Sequence, residues 1–483
     1  MVQYQMNRSS VIAGLLFLAA VPVFGEQVSA KAEITDQWKT FSTRTLADLP
    51  AAATSRLDSG LSRFGGLLAR KVAATGFFYA TNLNSRWWLV DPDGCLFLDK
   101  GVTAVAMMSG PASQKVFKEK FGSDSNWVEQ TTAFLRSQGF NNLGAWSDVD
   151  HLRQASQPLA YTRVLNFMSA YGDKRGGTYQ QPGHIGYPND CSFVFDPQFE
   201  SYCDQAARRL ADNKNDPWLL GYFSDNEMPL RREALKNYLQ LPAADPGHQA
   251  ALKWLQARHG EQATAADITP QDQKDFLAVV VGRYYRIVNA AIKKYDPNHL
   301  YLGSRFNGRA LNYTEIFKAA GPYVDVVAVN YYRVWTPSQA ELALWAREAG
   351  KPIMITEWYA KAMDAGLANT GGAGWIVKTQ RDRGLFYQNF TLGLLESKAC
   401  VGWDWFKYSD NDPSNTKTDP SNRDANKGIV NILYQPYQPL IEAMKPLNDG
   451  AYLLVDFFDK MDKPAVQSAR NNSAGSSTGV YAN

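Results

Sequence analysis

The chain has 483 residues, 45% hydrophobic and 13% aromatic, enough for one large domain or two ordinary ones. Fifty Lys and Arg against 47 Asp and Glu leave a net charge of +3, too little to argue for a nucleic-acid or polyanion partner. A charged fraction of 20% with this apolar content excludes global disorder, and the 13 Trp and 24 Tyr suit either a large core or an aromatic cleft that stacks on sugar rings.

At the N-terminus Arg8 precedes an apolar run from Val11 to Phe24, and Val28-Ser29-Ala30 puts small residues where a signal peptidase reads. Residues 1–30 are therefore expected to be a signal peptide cleaved after Ala30, leaving a secreted or periplasmic protein; an uncleaved anchor is the alternative. No later segment approaches the ~18 consecutive apolar residues of a membrane span, so no membrane partner is expected after cleavage. Residues 31–95 read as a small β cap closing the bottom of a barrel that begins at residue 96: Phe77–Leu89 pairs with Cys95–Asp99 across the turn Asp91-Pro92-Asp93-Gly94.

From residue 96 to 450, strand and helix patterns alternate. The strands are Leu96–Ala106, Phe140–Trp146, Tyr161–Met168, Trp218–Asp225, Leu300–Phe306, Val324–Tyr332, Ile353–Trp358 and Cys400–Tyr408. Helices are expected over Trp127–Ser137, Phe199–Asn213, Phe276–Lys294, Thr314–Ala320, Ser338–Ala349, Trp375–Ser397 and Tyr437–Met444. Eight such units close a (β/α)8 TIM barrel, and no glycine-rich phosphate loop follows any strand. Met228–Lys274 is a long insertion after the fourth strand, of the kind that shapes an active site. Residues 451–483 read as a C-terminal segment with a Ser/Gly-rich tail from Asn471. Cys95, Cys191, Cys203 and Cys400 include no CxxC; Cys191 and Cys203 could bridge or remain free thiols. No metal or cofactor is expected, because the oxygen-rich loop Ser409–Asn415 lacks EF-hand spacing.

The fourth strand ends in Asn226-Glu227 and the seventh in Glu357, at the end of a barrel strand where side chains face the active-site mouth. Singly, each reads equally well as a strand-end salt bridge. Together, on strands that face each other, they suit glycosidic cleavage, in which one carboxyl protonates the leaving oxygen and the other attacks the anomeric carbon. Retention requires about 5–5.5 Å between them, and Asn226 can hold the sugar 2-hydroxyl.

These positions resemble the acid/base and nucleophile of clan-A retaining glycoside hydrolases. Within the clan the chain is similar to the family-50 β-agarases through Gly76-Phe77-Phe78, Arg86–Gly94, Gly101-Val102-Thr103, Phe195–Phe199, Asp216–Glu227, Tyr301–Phe306 and Val401–Tyr408. The resemblance implies Glu227 as acid/base, Glu357 as nucleophile, and an exported retaining β-glycoside hydrolase acting on a galactan such as agarose or porphyran or its oligosaccharides. The same chemistry on a β-galactoside, β-1,3-glucan or β-mannan, or a non-catalytic glycan-binding barrel, are the rival readings. Two features depart from the family: a short stretch before Gly76, and Trp403-Asp404 where a small residue and His are expected before Trp405.

Strand parity fills in the mouth. Tyr332 resembles the clan tyrosine that donates to the nucleophile, with Asn330 beside it, unless Tyr331 is the inward residue. Trp403 and Trp405 share a face, either as sugar platforms, Trp405 the better placed, or as core residues outside the barrel. Arg305, Trp146 and His184 are further candidate substrate contacts; Arg305 could instead pair with Asp225, and His184 could be a surface-loop residue.

Overall fold

The computed structural model describes residues 25–53, 60–181, 183–415 and 423–461. The apolar run Val11–Phe24 and the Ser/Gly-rich tail lie outside the described residues.

Eight parallel strands form the expected barrel: β1 Asp99–Val102, β2 Asn142–Leu143, β3 Ala160–Val164, β4 Leu219–Phe223, β5 Leu300–Gly303, β6 Val327–Asn330, β7 Ile353–Glu357 and β8 Cys400–Trp405. They pair in the order β5-β4-β3-β2-β1-β8-β7-β6. The ring closes between β5 and β6, where Phe306 bridges Val329, its N–H donates to Ala328 O (2.9 Å) and its carbonyl accepts from Asn330 N (2.8 Å).

The outer helices are α1 Asp124–Ser137, α2 Val149–Leu152, α3 Phe199–Ala207, α4 Pro270–Tyr295, α5 Thr314–Ala320, α6 Gln339–Ala349, α7 Gln380–Glu396 and α8 Gln438–Met461. In α4, Thr269 and Asp272 form a capping box with Pro270 in the first turn, and Phe276, Val280, Val281, Tyr284, Ile287, Val288 and Ile292 are buried along its face. Helix α8 is much longer than Tyr437–Met444. It runs through Pro446 and past residue 450 because Leu447, Ala451, Leu454, Val455 and Phe458 continue the buried stripe.

The N-terminal region is not one cap. Leu67–Lys71, Tyr79–Leu83, Arg86–Val90 and Cys95–Phe97 form an antiparallel sheet. The run 77–89 folds on itself through left-handed Asn84 and Ser85, and Arg86–Val90 then pairs with Cys95–Phe97, in place of the single hairpin expected. Phe78, Leu89 and Phe97 join barrel-interior Leu220, Leu302, Ala328, Met354 and Val401 in one apolar cluster, so this sheet plugs the barrel.

The segment before it goes elsewhere. Glu26–Lys31 pairs with Lys39–Thr43 and with Trp375–Val377, a strand in the β7–α7 loop that also pairs with Ala360–Ala362. Val28 and Ala30 are buried in that sheet. Cleavage after Ala30 would remove most of this paired strand. Trp375–Val377, expected as helix, is strand through the same pairing. All four cysteines are buried free thiols. Among the described residues no helix is long and apolar enough to cross a membrane.

Candidate active site

Six of the eight strands pass to their loops through a non-glycine residue in left-handed backbone: Ala104, Trp146, Asn166, Glu227, Arg305 and Arg333, with φ between +48° and +63°. Such residues cost of order 1–3 kcal/mol each and gather where side chains must be aimed. Four of them, Ala104, Trp146, Glu227 and Arg333, line a cavity of about 2110 Å³, and Glu357, Asn226, His184 and Tyr332 line it too.

Glu227 and Glu357 have different surroundings. Glu227 accepts from Asn330 Nδ2 at 2.7 Å, and His184 Nδ1 lies 3.9 Å from its other oxygen. Burial and then the charge of Glu357 push its carboxyl up to about 8, against the opposing pull of Asn330 and Arg305. Glu357, 5% exposed, meets Arg305 Nη2 at 2.8 Å on one oxygen and accepts from the Tyr332 hydroxyl at 2.5 Å on the other. A guanidinium and a phenol are partners for a carboxylate anion.

Beneath the two glutamates lies a shell of fixed donors. Arg305 is fully buried and also donates to Thr356 O (2.9 Å) and Asn226 Oδ1 (3.3 Å). Asn330 is equally buried; its amide bridges Asn226 and Glu227 while its carbonyl accepts from the Thr356 hydroxyl at 2.9 Å. Neither residue reaches the cavity wall, so the expectation of direct substrate contact is corrected for both. Asp225 does not pair with Arg305: it accepts from Met168 N, Ser169 N and the Tyr284 hydroxyl, anchoring the β4 exit to α4.

Parity resolves for the tyrosines as the clan pattern implied. Tyr332 faces Glu357, whereas Tyr331 is buried outside, donating to Glu341 and packing on Trp345 and Phe390. It resolves the other way for the tryptophans. Trp403 and Trp405 are 1% and 0% exposed, with indole N–H groups on Tyr387 Oη and Lys427 O, both at 3.0 Å. They are core residues between β8 and the helices, and the platform expectation is corrected. The wall at this strand is Phe406, edge-on to Trp146 (centroids 6.0 Å) and beside Tyr359 (5.6 Å). Trp146 is 40% exposed and covers the Arg305 guanidinium at 4.2 Å. His184 stands on the hairpin Tyr179–Gln181/His184–Gly186 over the cavity, not on a remote loop.

No protein-family model matches the chain. It is 26% identical over 517 residues to "Beta-agarase B" of Vibrio sp. (strain JT0107), covering 87% of this chain and 53% of that protein. To "Beta-agarase A" of the same strain it is 27% identical over 386 residues, covering 69% and 37%. Among solved structures, BpGH50 superposes with a TM-score of 0.78 at 30% identity, covering 90% of this chain and 96% of that one. The chain belongs to glycoside hydrolase family 50. It spans about half of the first curated relative it matches and less of the second.

In this family-50 barrel the mouth includes residues that nothing in the sequence marked. Glu33 comes from the connection between the two N-terminal strands, Lys39 and Phe41 from the second of them, and Trp335 and Trp375 from the loops after β6 and β7. Phe41 stacks on Trp335 at 4.8 Å, and Arg333 pairs with Glu33, tying the chain start to the rim. Of the 228–274 insertion, Met228–Arg231, Glu233 and Asn237 line the cavity, and its longer helix Pro246–His259 does not.

Proposed function

We propose that this family-50 protein is an exported, retaining β-glycoside hydrolase that cleaves agar-type galactan or its oligosaccharides by double displacement. The observation that carries this reading is the contrast between the two strand-end glutamates. Glu227 holds a proton at neutral pH, the state of a general acid, and Glu357 is clasped by Arg305 and Tyr332 as an attacking carboxylate should be. In the first step Glu357 attacks the anomeric carbon while Glu227 protonates the leaving oxygen. Esterification removes the charge that helped keep Glu227 protonated, so it becomes the base that activates water for the second step. Asn226, on the cavity wall and held by Arg305 and Asn330, is placed to meet the sugar 2-hydroxyl. The agar-type substrate is supported by the names of the curated relatives.

Glu357→Ala is expected to abolish hydrolysis of agaro-oligosaccharides, and azide to restore turnover with a glycosyl azide of inverted configuration. Unreduced activity in that variant would remove Glu357 as nucleophile.

A further inference from the structure

The bonds beneath Glu227 decide which of its two oxygens carries the acid proton. A guanidinium can only donate, so the contact of Arg305 Nη1 with Asn226 at 3.3 Å fixes the atom it meets as the carbonyl Oδ1. Asn330 faces that same carbonyl at 3.4 Å and must do so with its amide Nδ2, while its own carbonyl accepts from the Thr356 hydroxyl at 2.9 Å. The same Nδ2 donates to Glu227 Oε1 at 2.7 Å. An oxygen that accepts this bond is the poorer seat for a proton, so the neutral acid carries its proton on Oε2. Asn307 also favours the ionised carboxyl, the form that later activates water.

Oε2 faces the hairpin Tyr179–Gln181/His184–Gly186: His184 Nδ1 stands 3.9 Å from it, and beside them Asn226 Nδ2 donates to Gly183 O at 3.4 Å. Arg231 Nε on Asp190 Oδ2, at 3.1 Å, ties the hairpin's exit to the loop after β4, and His184, Asp190 and Arg231 all line the cavity. A proton donor works within about 2.6–3.2 Å of the atom it protonates. We propose that the glycosidic oxygen approaches Glu227 from Oε2 and that His184 with its hairpin walls the subsite of the departing sugar. This rests on the glycoside hydrolase reading above and assigns one side of the cleft to the leaving group. In the first step the proton passes from Oε2 to the glycosidic oxygen as its bond to the anomeric carbon breaks and the Glu357 ester forms. In the second, water enters where the departing sugar stood, gives a proton to Oε2, and its oxygen replaces Glu357 on that carbon. A sugar hydroxyl entering there gives transfer in place of hydrolysis.

The test compares kcat/KM on a neutral agar-type oligosaccharide with kcat/KM on the glycosyl fluoride of the same glycone, whose leaving group is a single atom that cannot reach the wall. His184→Ala is expected to lower the ratio of the two about tenfold, the size of one good contact to the departing sugar, and His184→Gln to lower it less. The ratio does not depend on how much of a variant is folded. In the same variants transfer to an added acceptor oligosaccharide should fall relative to hydrolysis, because the acceptor uses the same subsite. A ratio unchanged in both variants would overturn the subsite and leave the hydrolase reading standing, with His184 acting on Glu227 or on the hairpin alone. Failure of wild type to cleave the oligosaccharide would count against the hydrolase reading itself.

Discussion

Arg305 touches Glu357 through one nitrogen and Asn226 through another, so its loss should be felt on both sides of the reacting sugar. Charge-assisted bonds contribute about 1.5–3 kcal/mol, so Arg305→Lys and Tyr332→Phe should each lower kcat/KM on an agaro-oligosaccharide by roughly ten- to a hundredfold. Melting temperature, measured alongside, separates this from unfolding. The pH profile tests Glu227. A carboxyl raised to about 8 is protonated at neutral pH and ionises above it, so kcat/KM should fall as pH rises through about 8. Glu227→Gln should lack that alkaline limb on an aryl glycoside whose leaving group needs no proton; a limb that persists would assign it to another residue. Both glutamates were legible in the sequence because each ends an apolar strand. Trp403 and Trp405 were legible only as a pair sharing a face. Which face depends on the irregular step where Ile353 and Met354 of β7 pair with Cys400 and Gly402 of β8, and such a step reverses parity without leaving a sequence signal.

At the scale of elements, the pairing of Glu26–Lys31 bears on the expected cleavage after Ala30. Its partner Trp375–Val377 lies hundreds of residues further along the chain, so local pattern could not reveal the pairing. With the strand in use, Edman or mass-spectrometric sequencing of exported protein should find a start at or before Glu26. A start at Lys31 would mean that the strand is dispensable. The barrel strands β4 to β8 were legible as largely apolar runs, whereas the end of α8 was hidden by Pro446 and Gly450, which mimic a stop although the buried stripe continues.

The molecule as a whole carries a polar layer inside its barrel. Asp99 and Asp404 are fully buried and carry oxygens with no donor, as does Asn142. Glycines make the room: a Cβ on Gly101 would stand 1.8 Å from Asp404 Oδ1, one on Gly402 2.3 Å from Asp99 Cβ, and one on Gly144 2.9 Å from the Asp404 carboxyl. Gly101→Ala should therefore be strongly destabilising, and combining it with Asp404→Ala should cost less than the sum of the two in a thermal double-mutant cycle. Burial, and for Asp99 also the charge of its neighbour, raise both carboxyls, Asp404 to about 7. A carboxyl raised in the folded state binds a proton that the unfolded chain has released. Its contribution to stability is full below the ordinary Asp value and is lost as pH rises to about 7. Asp404→Asn should thus flatten the decline of melting temperature between about pH 4 and 7; curves parallel to wild type would show that the pair does not titrate there.

The opposed roles of Glu227 and Glu357 are tested most directly by trapping the covalent intermediate. A slow 2-deoxy-2-fluoro galactosyl donor, incubated with the protein and followed by peptide mass spectrometry, should leave one sugar ester on Glu357. An ester on Glu227 would contradict the assignment, and turnover of the probe to a first product of inverted configuration, with no adduct, would contradict double displacement.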